Sequence, residues 1–221
     1  VNNVSVLTPT TVESEYSDVL PSMNLVAEIT PDFLIRFGAA KVMSRPPLGS
    51  LSPGVTVSVS GSAKTVTAGN PLLEPVRAKT ADLGFEWYFD EGAMVGVGLF
   101  YKDIESFIQN TRESRPFNTS GLPDDVLIGT NASPTDDFQF TVPLNTPGGE
   151  LTGFELNYTQ QFTFLPGFLS NFGTQLNYTY VDSKIQYLLS TGAAAQKEDL
   201  TGLSKTSWNA TLFYEGDRFS G

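Results

Sequence analysis

The feature that most limits the fold is a two-residue alternation of polar and apolar side chains, held over stretches of about ten to fifteen residues and repeated along the chain. Seven such stretches stand out. The first runs from about Leu20 to Ile29. The second, Phe33 to Ser44, sets Phe33, Ile35, Phe37 and Ala39 on one face and Arg36, Gly38 and Ala40 on the other. The third, Thr80 to Phe89, opposes Ala81, Leu83, Phe85, Trp87 and Phe89 to Thr80, Asp82, Gly84, Glu86 and Tyr88. The fourth opposes Val95, Val97, Leu99 and Tyr101 to Gly96, Gly98, Phe100 and Lys102, and Asp90-Glu91-Gly92 makes a hairpin of the pair. The fifth, from about Gly153 to Phe164, sets Phe154, Leu156 and Tyr158 against Gly153, Glu155 and Asn157. The sixth sets Leu176, Tyr178 and Tyr180 against Gln175, Asn177 and Thr179. The seventh sets Trp208, Ala210, Leu212 and Tyr214 against Lys205, Ser207 and Asn209.

Strands this long suit a tilted membrane crossing of about 9–11 residues better than the about 5–6 typical of soluble sheets. The connections agree with that reading. Short turns at 30–32 and 90–93 and a modest one at 165–172 alternate with long connections near 45–79, 109–150 and 190–199. Outer-membrane barrels show this asymmetry, with short periplasmic turns and long extracellular loops. Trp87, Tyr88, Phe89, Phe162, Phe164 and Tyr214 lie near the short-turn ends, where an interfacial aromatic girdle belongs. The same aromatics would also serve as the core of a β-sandwich.

Composition removes competing functions. The chain has neither cysteine nor histidine, so it holds no disulfide, no thiolate or histidine metal site and no histidine-based triad. A formal net charge of −11 opposes binding to nucleic acid, and the acidic pairs Asp124-Asp125 and Asp136-Asp137 read as solvated loop charge. Asp103 and Glu105 share a face, but a barrel wall commonly carries such pairs, and neither catalytic nor metal-binding residues nor a cofactor are expected. No basic-then-apolar leader opens the chain at Val1, which reads as a cut, and Phe219-Ser220-Gly221 reads as the start of an eighth strand.

Several strings resemble the barrel half of TonB-dependent outer-membrane receptors. They are RPPLGSL at Arg45 to Leu51, GNPLLEP at Gly69 to Pro75, ADLGFEWYF ending at Phe89 and LFYKDIESFI at Leu99 to Ile108. Further matches are YSDVLPSMNL from Tyr16, GGELTGFELNYTQQF from Gly148, LPGFLSNFG from Leu165 and LTGLSKTSWNATLFYE from Leu200. Together they cover most of the chain. The resemblance implies an all-β, antiparallel transmembrane barrel segment: about seven to eight strands of a barrel of about 22, which closes around an N-terminal plug. It further implies uptake of a scarce ligand, such as an iron-siderophore, vitamin or oligosaccharide, powered through TonB, in the outer membrane of a Gram-negative bacterium. Residues 1–221 would then be a partial barrel domain lacking the plug and the closing strands.

Within that frame Arg36, Asp82, Glu86, Lys102, Glu155 and Lys205 are expected to face the lumen or plug, because charge on the lipid face is costly. Arg45 and Glu74 are candidates for an ion pair or a ligand contact in the extracellular vestibule. Arg112, Arg115, Phe117 and Phe138, in a loop from Gln109 to Gly149, are candidates for contact with a small-molecule ligand. A passive porin or small outer-membrane barrel, and a soluble carbohydrate-binding β-sandwich, are the alternatives.

Overall fold

The computed structural model describes residues 11–188, 190 and 194–216. The start at Val1 and the strand expected at Phe219-Ser220-Gly221 lie outside the described residues. Among the described residues ten strands form one sheet, with no α-helix and so no helix long and apolar enough to cross a membrane.

The wall of the sheet consists of β1 (Ser22–Thr30), β2 (Phe33–Ser44), β5 (Val76–Asp90), β6 (Ala93–Pro116), β7 (Asp137–Gln161), β8 (Phe172–Tyr187) and β10 (Thr206–Tyr214), each antiparallel to the next. These are the seven segments of the alternation. Their register keeps the two faces distinct. One apolar row runs Leu25–Phe37–Leu83–Leu99–Phe154–Tyr180, and the next Ala27–Ile35–Phe85–Val97–Leu156–Tyr178–Trp208. The opposite face carries Val26–Arg36–Gly84–Gly98–Glu155–Thr179–Ser207. Apolar side chains on the first face are far from buried: Trp208 is 75% exposed and Leu212 67%. A soluble sandwich would have covered them, so the arrangement goes against the sandwich alternative.

Aromatic contacts gather at the short-turn end. Trp87 packs on Phe89, Phe162 on Phe164, and Phe172 on both Phe168 and Tyr214. Tyr88 instead points to the polar face, where its hydroxyl donates to Glu86 at 3.1 Å.

The long connections are where the structure departs from the sequence reading. Residues 109–150 do not form one loop: β6 and β7 continue as a paired ribbon up to Pro116 and Asp137, and the loop proper is 117–136. The alternation of Phe138, Phe140, Val142 and Leu144 with Gln139 and Thr141 signals this, but Pro143 and Pro147 obscure it. Both prolines sit within β7, where a missing N–H ordinarily argues against a strand. The connection 45–79 likewise contains a hairpin, β3 (Val55–Ser60) and β4 (Ala63–Ala68), turned at Gly61 with a φ of 60°. A short β9 (Gln196–Glu198) pairs with the end of β8.

The hairpin reaches its place by crossing the polar face of the ribbon. Asn145 accepts from the Glu74 backbone N–H and donates to its carbonyl, both at 2.9 Å, and the Ser106 hydroxyl reaches the Pro75 carbonyl. β4 then pairs with β7 over Thr65–Gln139, Val66–Phe140 and Thr67–Thr141. This contact is parallel, so the expected all-antiparallel sheet holds for the wall but not for this junction. β7 thereby changes neighbours along its length, to β8 below Gly149 and to β4 above it.

Candidate functional site

The polar face holds a groove of about 510 Å3 lined by Asn24, Arg36, Gly38, Asp82, Gly84, Gly98, Phe100, Lys102 and Glu155, among others. Its floor is open because Gly84 and Gly98 stand side by side in register, so no side chain rises between Arg36 and Glu155. Arg36 crosses from β2 to Glu86 on β5, with Nε at 2.7 Å from Oε1 and Nη2 at 3.2 Å from Oε2. This is a bidentate pair, which fixes the fork of the guanidinium more firmly than a single contact would. With the Arg36 side chain 49% exposed, its worth is orientation rather than stability.

Arg36, Asp82, Glu86, Lys102 and Glu155 therefore share the face that alternation assigns them. Lys205 does not. It precedes β10 by one residue, so alternation does not bind it, and its ammonium bonds Asp182 at 3.2 Å and lies over the ring of Tyr180. Tyr180 packs on Phe154, so this cation sits on the apolar face.

The vestibule candidates also divide. No Arg45–Glu74 ion pair forms: Glu74 binds Arg77 at 2.9 Å, Arg77 in turn chelates Asp18 at 2.6 and 3.2 Å, and Arg45 has no ion pair among the described residues. The nearby guanidinium holds the Asp18 carboxyl below its ordinary value. The strings RPPLGSL and GNPLLEP meet directly instead, with the Asn70 N–H on the Ser50 carbonyl at 2.7 Å. A Cβ on Gly69 would stand 2.2 Å from the Ser52 carbonyl oxygen, so glycine is required by this close approach.

Phe117 and Phe138 are fully buried and pack on each other at 5.0 Å between centroids. With Val66, Val126, Leu127 and Phe140 they form the core of a small module above the wall. Arg115 closes it, its guanidinium 4.2 Å from the Phe140 ring centroid and bonded to the Thr119 carbonyl at 2.9 Å. Phe117 and Phe138 thus build the core of the loop, while Arg115 lies at its edge with 37% of its side chain exposed. The cause is hydrophobic: loop aromatics bury when enough aliphatic neighbours are at hand. Arg112 is exposed, on the same face of β6 as Lys102. Lys64 on β4 pairs with Asp136, and this ammonium, followed by the Ser133 N–H, lowers the Asp136 carboxyl below its ordinary 3.8.

A two-faced wall of tilted length, a polar groove on one side and a packed loop module at one end describe a barrel sector, and comparison with known proteins agrees. No curated protein matches the sequence. The siderophore receptor PirA of Pseudomonas aeruginosa superposes with a TM-score of 0.57 at 17% identity, over 90% of this chain and 31% of that one. A variant of the ferric enterobactin receptor PfeA of the same organism, in complex with enterobactin, gives 0.57 at 17% identity over 88% and 25%. At such identities the likeness is one of fold, and the chain spans a third or less of those receptors. The family model described as TonB dependent receptor-like, beta-barrel matches residues 1–221, and the chain belongs to that family.

Proposed function

We propose that the chain is the wall and extracellular-loop sector of an outer-membrane receptor that takes up a scarce ligand with energy delivered through TonB. The observation that carries this reading is the division of one sheet into an exposed apolar face and a polar, glycine-floored face. Such a sheet suits lipid on one side and a hydrated plug on the other. Arg36, Asp82, Glu86, Lys102 and Glu155 then face an N-terminal plug supplied by the rest of the receptor. Arg45 and Arg112 remain the candidates for ligand contact, since both are exposed cations at the loop end. Among iron-siderophores, vitamins and oligosaccharides, the likeness to a siderophore receptor and a ferric enterobactin receptor favours a ferric siderophore.

The test is accumulation of a panel of ferric siderophores by cells carrying the whole receptor, with and without TonB. TonB-dependent accumulation of one of them is the expected result. Passage of small solutes through the purified receptor in liposomes, indifferent to TonB, would mean a passive porin.

A further inference from the structure

Above the wall, β6, β7, β4 and β3 lie side by side as a small sheet of which one face is covered. Phe138, Phe140, Val66, Val57 and Val59 turn toward the loop core around Phe117 and Leu127. Alternation sends their neighbours to the other side. One row there runs Arg112–Thr141–Thr67–Thr56, and the next Ser114–Gln139–Thr65–Ser58. Arg112 shares its side of β6 with Lys102, so this is the polar side of the wall carried upward. The chain crossing at Glu74 and Pro75 covers the ribbon at Ser106 and Asn145, and the face reopens beyond it.

The two rows hold eight polar side chains that the fold leaves unused. None of them makes a side-chain hydrogen bond or ion pair among the described residues. Arg112, Ser114, Gln139, Thr67 and Thr56 are exposed and the other three half-buried. On the wall side of the rows a pocket of about 400 Å3 opens, lined by Ser50, Ser52, Thr56, Thr67 and Asn110 among others, a volume within the usual range of small-molecule sites. Three strand spacings make the face about 14 Å wide, and its two rows stand about 7 Å apart. That footprint suits a small molecule and is far below what a protein partner needs.

The chemistry of the face narrows the ligand. Hydroxyls and carboxamides both donate and accept, which suits an oxygen-rich molecule. The one charge in the two rows is the Arg112 guanidinium, whose fork matches a carboxylate. The nearest carboxylate of these four strands on this side, Asp137, lies four residues along β7 from Thr141, the register partner of Arg112, or about 13 Å. Neither row contains an aromatic ring, so a catechol finds no stacking partner, and neither contains a carboxylate, so a cationic chelate finds no counter-charge.

We propose that this face binds an anionic ferric chelate of the hydroxycarboxylate class, Arg112 taking a carboxylate and the Thr and Ser rows taking hydroxyl and further carboxylate oxygens. The inference rests on the receptor reading above and narrows its ligand. It is tested by calorimetric titration of the whole receptor in nanodiscs with ferric citrate, a ferric tricatecholate and a ferric trihydroxamate. Ferric citrate should bind at least tenfold more tightly than the other two. Arg112→Ala should weaken it by about tenfold to a hundredfold, the range for a charge-assisted bidentate contact, and Arg112→Lys, which keeps the charge without the fork, by less. Thr67→Val, which removes a hydroxyl at constant shape, should weaken it by about threefold to fivefold. Lys197→Ala, on β9, should leave it unchanged. Undiminished ferric citrate binding by folded Arg112→Ala and Thr67→Val variants would overturn the proposal. TonB-dependent accumulation of a catecholate or hydroxamate chelate by a receptor that does not bind ferric citrate would overturn it and leave the receptor reading standing. Absence of TonB-dependent accumulation of every chelate would overturn both.

Discussion

At Gly153 the wall leaves no room for a methyl group. A Cβ there would lie 2.2 Å from the Tyr180 carbonyl oxygen and 2.4 Å from the ring of Phe100, its register partner on β6. The aromatic covers the glycine and so shields the strand that it weakens. Gly153→Ala is expected to cost about 1–3 kcal/mol, the usual penalty of overpacking, read as a lower unfolding midpoint of the receptor. Phe100→Ala in that background should recover only part of the loss, since the backbone clash remains. Asp136 makes a second prediction. Its carboxyl is lowered in the folded protein, so the Lys64 contact adds stability above the ordinary carboxylate range and loses it as pH falls through the depressed value. Hydrogen exchange in β3 and β4, corrected for intrinsic rates, should be flat between about pH 8 and 5 and rise below about pH 4. The Asp136→Asn variant should exchange faster than the unaltered protein at neutral pH and lose that acid response.

Among the elements, those that face two different environments were legible in the sequence, and those that face one were not. The bounds of β2 emerge as read, because Phe33 to Ala39 alternate sharply with Arg36 and Gly38. The upper half of β6 was invisible. From Ile104 to Pro116 neither face is consistently apolar, so pairing there leaves no periodic trace. The same limit hid the site. Arg36 and Glu86 could be placed on one face from sequence, but not paired, and nothing in the residues around Phe117 or Phe138 tells a ligand contact from a loop core. Lys205 was misplaced because alternation fails one residue outside its strand. The loop module invites a direct test. Phe138→Ala should cost about 3–5 kcal/mol within the module, and Asn145→Ala about 1–2 kcal/mol by freeing both Glu74 backbone groups. By hydrogen exchange, β3 and β4 should loosen in each variant while β2 and β5 stay protected. Loosening of the wall as well would show that module and wall unfold as one unit.

For the whole molecule, the central claim is that one face of the sheet meets hydrocarbon and the other does not. Among the described residues β1 and β10 each pair with a single neighbour, leaving edges there that a complete barrel would join. The chain spans only 31% and 25% of the two matched receptors, in keeping with strands supplied from elsewhere. The claim is tested most directly by quenching from bromine-labelled acyl chains. A small fluorophore is placed in turn at each position from Val95 to Phe100 of the reconstituted receptor. Quenching should be strong at Val95, Val97 and Leu99 and weak at Gly96, Gly98 and Phe100. Uniform quenching, or strong quenching at the even positions, would contradict the assignment of faces on which the account rests.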